Sequence, residues 1–477
     1  MNVVILTEGG KNRGFGHIAR CSSIHSSLKE FGISPMFIVN GDESVDGFIT
    51  DFDFLNFDWI ANQDRLFDML DEDDIVIIDS YLADKVFYDR IADEVSLGVY
   101  LDDNNRLEYP EGILLNGTIL ASRIGYSDIE GREDLLGSEF ILLRKPFEEF
   151  ENSEINREVE TVLITMGGDD FRNLTPEILE LLDSDLKKKV IVGNSFKNVE
   201  KIREAADSNT EILFNLDASE MLDVMLSCDL AISSSGQTLY ELARVGVPTI
   251  AIGIVDNQIN NIENWQEQGF IEFVGFWDDD DLLENIKGKL NILNDYGMRQ
   301  SKREKGNSAV DGKGARRLVK RILSAYYKKN LQLRKADVGD CYRIFEIAND
   351  DEVRNASFNS EKIPLENHRK WFENIIDDED TIFLVAEYGD DLIGQVRFDL
   401  EDDGAIVSIS LNKKYRGLNI SPFLLLEASR FAGLDNMVAY IKKENMASIS
   451  LFERCGFEFE GTENVKGFDA LKYVRSL

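Results

Sequence analysis

Cysteine and histidine are scarce in this chain, long apolar runs are missing, and positive charge is in deficit. The four cysteines, Cys21, Cys228, Cys341 and Cys455, lie far apart and form no Cys-x-x-Cys pair, which argues against a disulfide framework and against a zinc site. No apolar run approaches the roughly 18 residues of a membrane helix, and a strand-like run begins within three residues of Met1. Neither a membrane span nor a signal peptide is expected, and a reduced cytoplasm is the expected location. Basic residues number 52 against 89 acidic ones, a net charge of −37. That field repels nucleic acid and anionic membranes, so an anionic substrate would need local basic or backbone-amide clusters. Internal repeats and low-complexity tracts are also absent.

What is present is enough for packed cores. The length of 477 residues suggests about three domains, and 43% hydrophobic residues excludes wholesale disorder. In residues 1–150, short apolar runs at Val3–Leu6, Met36–Val39, Ile75–Ile78, Gly98–Leu101, Gly112–Leu115 and Phe140–Leu143 alternate with helical stretches. That alternation predicts a parallel sheet covered on both faces, with ligands beyond the carboxyl ends of the strands. The polar residues there are Asp79-Ser80-Tyr81, Asp102-Asp103-Asn104 and Asn116-Gly117-Thr118, which can also be ordinary turn or cap chemistry. After an acidic bridge, Glu148–Glu160, the pattern restarts over residues 151–328 and closes with a basic amphipathic helix from Gly314 to Lys328. A third restart over 329–477 mixes helices with a largely antiparallel set of strands.

Three loops carry the chemistry. The stretch from Asn12 to Arg20 lies between a strand and a helix and contains Gly14, Gly16 and His17, with Gly9 and Gly10 just before it. A histidine in a first helical turn is disfavoured from protonating and can act as a base; the plainer alternative is a glycine-rich turn with a helix-capping His. Cys21, four residues on, is expected to be buried. In the second segment, Asp229–Ser234 runs into Ser235-Gly236-Gln237-Thr238 and a helix, where unpaired amides could hold phosphate. Glu241 is one turn further, on a face that could reach a ribose diol, and Gly167-Gly168 offers a second turn toward the same cleft. In the third, Ala405–Leu411 leads into Arg416–Ser421 and a helix start, again an anion cradle.

Taken together, Gly14-Phe15-Gly16-His17 with Arg20, Gly167-Gly168-Asp169, Ser235-Gly236-Gln237-Thr238 with Glu241, and Gly246-Val247-Pro248 resemble the UDP-sugar hydrolase of pseudaminic acid biosynthesis over about residues 1–325. That family is similar to GT-B glycosyltransferases. The resemblance implies two Rossmann-like doubly wound domains in a GT-B arrangement. It places UDP mainly on the second, at Gly167, Gly168, Ser235, Gly236, Gln237, Thr238 and Glu241. The sugar then faces Gly14, Gly16, Arg20, Asp79 and Tyr81, and Asn257 and Gln258 match a loop near sugar and phosphates. The implied reaction is removal of UDP from a 2,4-diacetamido-2,4,6-trideoxy-altrose by water, with His17 as base and no metal.

Arg416-Gly417-Leu418-Asn419-Ile420-Ser421 is similar to the pyrophosphate loop of GNAT-family N-acetyltransferases, usually Arg-Gly-x-Gly-x-Gly, with Asn419 and Ser421 in place of two glycines. Asn445, Ser448, Leu451 and Cys455-Gly456-Phe457 match that family's closing helix, and Phe452 stands where many members have Tyr, leaving Tyr473 or water as the acid. The resemblance implies acetyl-CoA as co-substrate, bound by Leu411, Arg416–Ser421, Asn445 and Ser448. Asn349-Asp350, Val353-Arg354 and Ser357 resemble its acceptor side or form a solvated loop, and His368 reads as a structural helix-surface residue. The expectation is a bifunctional enzyme, acetylating the 4-amino group of a UDP-linked deoxysugar and then releasing UDP. Its rivals are a GT-B glycosyltransferase with an accessory acetyltransferase, and a non-catalytic sugar-nucleotide and acetyl-CoA sensor.

Overall fold

Strand β1 (Val3–Gly9) is buried at every position, as expected of a strand with helices on both faces. It is central in a parallel sheet with β2 (Met36–Gly41), β3 (Leu55–Asn56), β4 (Ile75–Asp79), β5 (Leu97–Leu101), β6 (Gly112–Asn116) and β7 (Arg132–Leu136), in the order 3-2-1-4-5-6-7. A second parallel sheet comprises β8 (Thr161–Thr165), β9 (Lys187–Val192), β10 (Thr210–Phe214), β11 (Leu230–Ser234), β12 (Thr249–Gly253) and β13 (Ile271–Phe276), in the order 10-9-8-11-12-13. Both are Rossmann-like, and in each the order reverses at the first strand, at β1/β4 and at β8/β11.

The third sheet is mixed: β14 (Gln332–Lys335), β15 (Thr381–Tyr388), β16 (Asp391–Glu401), β17 (Gly404–Leu411), β18 (Met437–Lys442), β20 (Phe468–Arg475) and β19 (Glu458–Val465), in that order. Its pairs are antiparallel except β17 with β18, which run parallel. The expected final strand is thus a hairpin. The computed structural model describes residues 1–477 apart from Asn12, Ser153, Asn194, Asp403, Lys466 and Leu477. Asn12, which opens the glycine-rich stretch, and Ser153, in the acidic bridge, therefore lie outside the described residues. The chain divides into two compact units, Met1–Val319 with the two parallel sheets and Lys320–Leu477 with the mixed one. Among the described residues no helix is long and apolar enough to cross a membrane.

Two expectations need correction. Phe140–Leu143 is not a strand but a connector between the short 3-10 turns Ser138–Phe140 and Lys145–Phe147. Its apolar side chains, Ile141 and Leu143, are buried with Leu239, Tyr240 and Trp265 of the second sheet's layer, so the run is apolar because it is sandwiched. The strand that closes the first sheet is instead β7, whose Arg132 and Asp134 pair at 2.7 Å and which buries only Leu135; charge on an edge strand discourages further pairing. His368 is buried, not on a helix surface. Its Nε2 meets the Cys341 carbonyl at 3.1 Å, and burial lowers its pKa.

Candidate active site

The glycine-rich turn closes on itself: Gly10 and Gly14 exchange backbone hydrogen bonds at 3.1 and 2.8 Å. Gly14 needs its glycine for a φ of +81°, and a Cβ on Gly9 would come within 2.5 Å of Ile18. At Gly16, by contrast, a Cβ would meet nothing within 4 Å, so the protein's own atoms do not demand glycine there. Helix Gly16–Glu30 then starts, with His17 in its first turn and Cys21 buried.

What His17 faces is Asp79, 62 residues away at the carboxyl end of β4, where Thr7 of β1 is its register partner. His17 Nδ1 lies 2.6 Å from Asp79 Oδ1. Arg20, one helical turn on, donates to the same carboxylate from Nε at 3.0 Å and Nη2 at 2.8 Å, and to Asp103 at 3.1 Å. Tyr81 completes the cluster, donating to Asp103 Oδ1 at 2.6 Å and standing edge-on to the His17 ring at 4.7 Å. Burial would raise the Asp79 pKa, but Arg20 and His17 outweigh it and hold the carboxyl below the ordinary range. Burial likewise opposes the charge on Arg20, and Asp79 and Asp103 overcome it. Burial and Asp103 push the Tyr81 phenol up. An ionised Asp79 can only accept, so the 2.6 Å contact requires the His17 proton on Nδ1 and leaves Nε2 as the basic nitrogen; Arg20 Nη2, 3.0 Å from the same Nδ1, then donates to Asp79 at 2.8 Å instead.

His17, Arg20, Tyr81, Gly14 and Gly16 form one wall of a cavity of about 670 Å³. Ser235, Gly236 and Gln237, from the turn after β11, lie across it together with Asn257 and Gln258. The strand-end residues Asp102, Asp103, Asn104, Gly117 and Thr118 also line it, while keeping turn roles: Asn116 Oδ1, for example, accepts from the Thr118 amide at 2.9 Å. Tyr240 and Asn264 tie the two walls together. Tyr240 Oη accepts from the Ile119 amide at 3.2 Å and donates to Asn261 at 2.7 Å, and Asn264 donates to the Ile119 carbonyl at 3.0 Å.

Other expected residues are placed differently. Asp79 is buried behind His17 and does not line the cavity. Gly168 lines a smaller adjoining cavity of about 290 Å³ with Asp169, Ser195 and Ser234, and shares Gly14 and Gln258 with the larger one. Gly167 supplies the turn, at φ +78°, and Thr238 begins helix Thr238–Val245. Glu241 reaches neither cavity wall: Arg144 grips both its oxygens, at 2.7 and 2.8 Å. Sequence reasoning passed over Arg144 because nothing in spacing links residues 97 apart. It treated Asp79 as a substrate ligand, although the strand order that puts β4 beside β1 is the signal that pairs it with His17.

In the second unit, β17 and β18 pair only at Ala405–Met437 and Ile406–Val438 and then part. Leu411 ends β17, and its carbonyl accepts from Arg416 Nε and Nη2 at 3.1 and 2.9 Å. Gly417 and Asn419 take left-handed conformations, φ +73° and +58°; Asn tolerates that region, so it replaces a glycine without refolding the loop. Asn419 Oδ1 accepts from Arg454 at 2.6 Å. Leu418 and Ile420 are buried beneath the loop, and Ser421 opens helix Ser421–Ala432. Asn445 caps helix Met446–Arg454 through the Ser448 amide at 3.1 Å.

Residues 330–458 match the family model described as Acetyltransferase (GNAT) domain. The second unit carries a GNAT domain. Over 97% of its length the chain is 25% identical to an uncharacterised protein of Methanocaldococcus jannaschii, covering 98% of that protein. Over 57% of its length it is 27% identical to the pseudaminic acid cytidylyltransferase and UDP-2,4-diacetamido-2,4,6-trideoxy-beta-L-altropyranose hydrolase of Helicobacter pylori, spanning about half, 48%, of that protein. Among solved structures, spermidine N-acetyltransferase from Vibrio cholerae in complex with CoA and spermine matches 30% of this chain and 94% of its own, with a TM-score of 0.28 and 20% identity. Within the GNAT domain, Phe452 is buried against Phe457, and Tyr473 donates to Glu453 at 3.1 Å. Asn349, Asp350 and Ser357 are occupied within the fold: Asn349 binds the Ile363 backbone, Asp350 takes Arg416 at 2.6 Å, and Ser357 takes Arg354 at 2.9 Å.

Proposed function

We propose that the chain is a bifunctional sugar-nucleotide enzyme. The GNAT domain transfers acetyl from acetyl-CoA to the 4-amino group of a UDP-linked deoxysugar, and the first unit then hydrolyses the product to UDP and 2,4-diacetamido-2,4,6-trideoxy-altrose. In the first step the amine nitrogen bonds to the acetyl carbon, the carbon–sulfur bond breaks, and the ammonium proton is lost as CoA leaves as the thiol. Amides of the loop Arg416–Ser421 and the helix it opens would hold the CoA pyrophosphate, with Leu411, Asn445 and Ser448 beside it.

In the second step a water in the larger cavity gives a proton to His17 Nε2 and attacks the anomeric carbon, the bond from that carbon to the UDP oxygen breaks, and the configuration inverts. Asp79 holds the ring in the useful tautomer and stabilises the imidazolium. UDP departs as an anion, so its loss needs charge stabilisation more than a strong acid. We assign that to the turn Ser235–Thr238 and the Gly167-Gly168 turn, with Asn257 and Gln258 near sugar and phosphates. Glu241, with both oxygens held by Arg144, is assigned no contact with the nucleotide.

The observation that carries the reading is His17, backed by Asp79 at 2.6 Å, across a cavity of about 670 Å³ from a serine- and glycine-rich helix start. The likeness to the Helicobacter protein, whose name includes such a hydrolase, supports it. The test is incubation with a UDP-linked 4-amino-deoxysugar, with and without acetyl-CoA, following UDP and free sugar by mass. UDP release that depends on acetyl-CoA is expected; no product under either condition overturns the reading.

A further inference from the structure

In a chain of net charge −37, a cation without a carboxylate partner is informative, because the surrounding field otherwise works against an anionic ligand. Around the GNAT domain most cations are neutralised: Arg416 by Asp350 and Glu352, Lys362 by Asp351, Lys472 by Glu460 and Glu463, and Lys443 by Asp469 at 3.9 Å. Arg354 and Lys442, like Lys335, Arg369, Lys413, Arg454 and Arg475, are in none of the ion pairs among the described residues; these two are set apart by lying at the two ends of one contact, the helix Asp351–Ala356 against β18. Arg354 donates to the Asn359 and Glu361 carbonyls at 3.2 and 3.4 Å and to the Ser357 hydroxyl at 2.9 Å, all neutral, and its Nε is buried without an acceptor. Lys442 donates to the Asn355 carbonyl at 3.1 Å and lies 6.0 Å over the Phe468 ring. Among the described residues neither forms an ion pair with a carboxylate.

These two cations sit at one place. Helix Asp351–Ala356 is held near its start by Arg416, which follows β17, and near its end by Lys442, which closes β18. It therefore spans the mouth where the two strands part. Phe358, just beyond Arg354, faces Phe468 at 6.1 Å, and Phe468 is 47% exposed. Two cations without a carboxylate partner beside the exposed Phe468, backed by the half-buried Phe358, combine a charge grip for phosphates with a stacking surface for a base.

We infer that the GNAT domain selects its amine acceptor by the nucleoside diphosphate attached to it, with Arg354 and Lys442 taking the phosphates and the Phe358–Phe468 pair the base. The inference rests on the acetylation step proposed above and adds to it that a free amino sugar is a poor substrate. A polycationic amine would meet like charge at the same place.

The test uses the full chain with acetyl-CoA, following CoA thiol release, with two acceptors: a UDP-linked 4-amino-deoxysugar and the same amino sugar without the nucleotide. The UDP-linked amine is expected to be used at least about 100-fold more efficiently. Lys442→Gln, which alters a surface contact, and Arg354→Gln should each raise its KM by about tenfold or more, with the KM for acetyl-CoA within a few-fold of wild type. Phe468→Ala should raise the KM several-fold, and added salt should weaken the wild type more than Lys442→Gln. Equal use of the two acceptors, or an unchanged KM in Lys442→Gln with folding intact, overturns the inference while the acetylation reading stands. No thiol release with either amine overturns both.

Discussion

At His17 the two ring nitrogens differ: Nδ1 is held by Asp79 at 2.6 Å, and Nε2 is the one proposed to take the proton of the attacking water. Replacing the ring by His17→Ala or His17→Asn should lower UDP release at least about 100-fold. UDP binding, measured by calorimetry, should stay within a few-fold of wild type, because the turn Ser235–Thr238 proposed to hold its phosphates lies on the other wall; near-normal turnover in either variant would remove His17 from its proposed role. Asp79→Asn tests the orientation separately. An amide can present its NH₂ to Nδ1 and favour the wrong tautomer, which should cost about 10²- to 10⁴-fold in turnover with UDP affinity retained. It also leaves the half-buried Arg20 with only Asp103, a loss of about 2 kcal/mol in unfolding free energy. The pH dependence follows from the depressed Asp79 pKa. A carboxylate whose folded pKa lies below its unfolded value of about 3.9 contributes stability above that pH and loses it as pH falls through the folded value. Chemical denaturation of Asp79→Asn should therefore show a shallower decline than wild type below about pH 4.

At the scale of elements, the parallel sheets were legible because strands buried on both faces are continuous apolar runs; β1, β4, β8, β11 and β12 have every residue buried. The same rule misread Phe140–Leu143, where apolarity comes from burial between layers, and missed β7, which lies at an edge and carries Arg132, Glu133 and Asp134. The site was legible in its loops and not in its pairings. Gly14–Arg20 and Ser235–Thr238 stand out locally, whereas His17 with Asp79 and Arg144 with Glu241 join residues 62 and 97 apart, which only the strand order brings together. In the GNAT domain the departure from the glycine pattern at Asn419 proves to be a change of residue within one backbone shape, φ +58°. Asn419→Gly should thus keep acetyl-CoA affinity close to wild type, while Asn419→Ala, which lacks both the tolerance for left-handed backbone and the bond to Arg454, should destabilise the loop by about 1 kcal/mol and weaken binding about fivefold. Calorimetric titration of the two variants with acetyl-CoA separates these; a large loss in Asn419→Gly would show that the side chain, not the backbone, matters.

At the scale of the whole molecule, each unit contains a hydrophobic cluster of its own. The first is built on clusters such as Val162, Ile164, Ile232 and Ile250, and the second on Ile344, Phe372, Phe383 and Val385. Each proposed ligand should therefore stabilise one unit more than the other, since a ligand that binds only the folded state adds RT ln(1 + [L]/Kd), about 2.7 kcal/mol at 100 times Kd. Differential scanning calorimetry should resolve two transitions. Acetyl-CoA at that excess should raise one by roughly 5–10 °C and leave the other in place. UDP should raise the other by several degrees, and should do so equally in His17→Ala, where the proposed base is gone and the turn Ser235–Thr238 is intact. Acetyl-CoA moving both transitions together would show that the units unfold as one. UDP moving only the transition that acetyl-CoA moves would place the nucleotide on the GNAT unit alone, and the cavity between His17 and Ser235 would lose its assigned ligand.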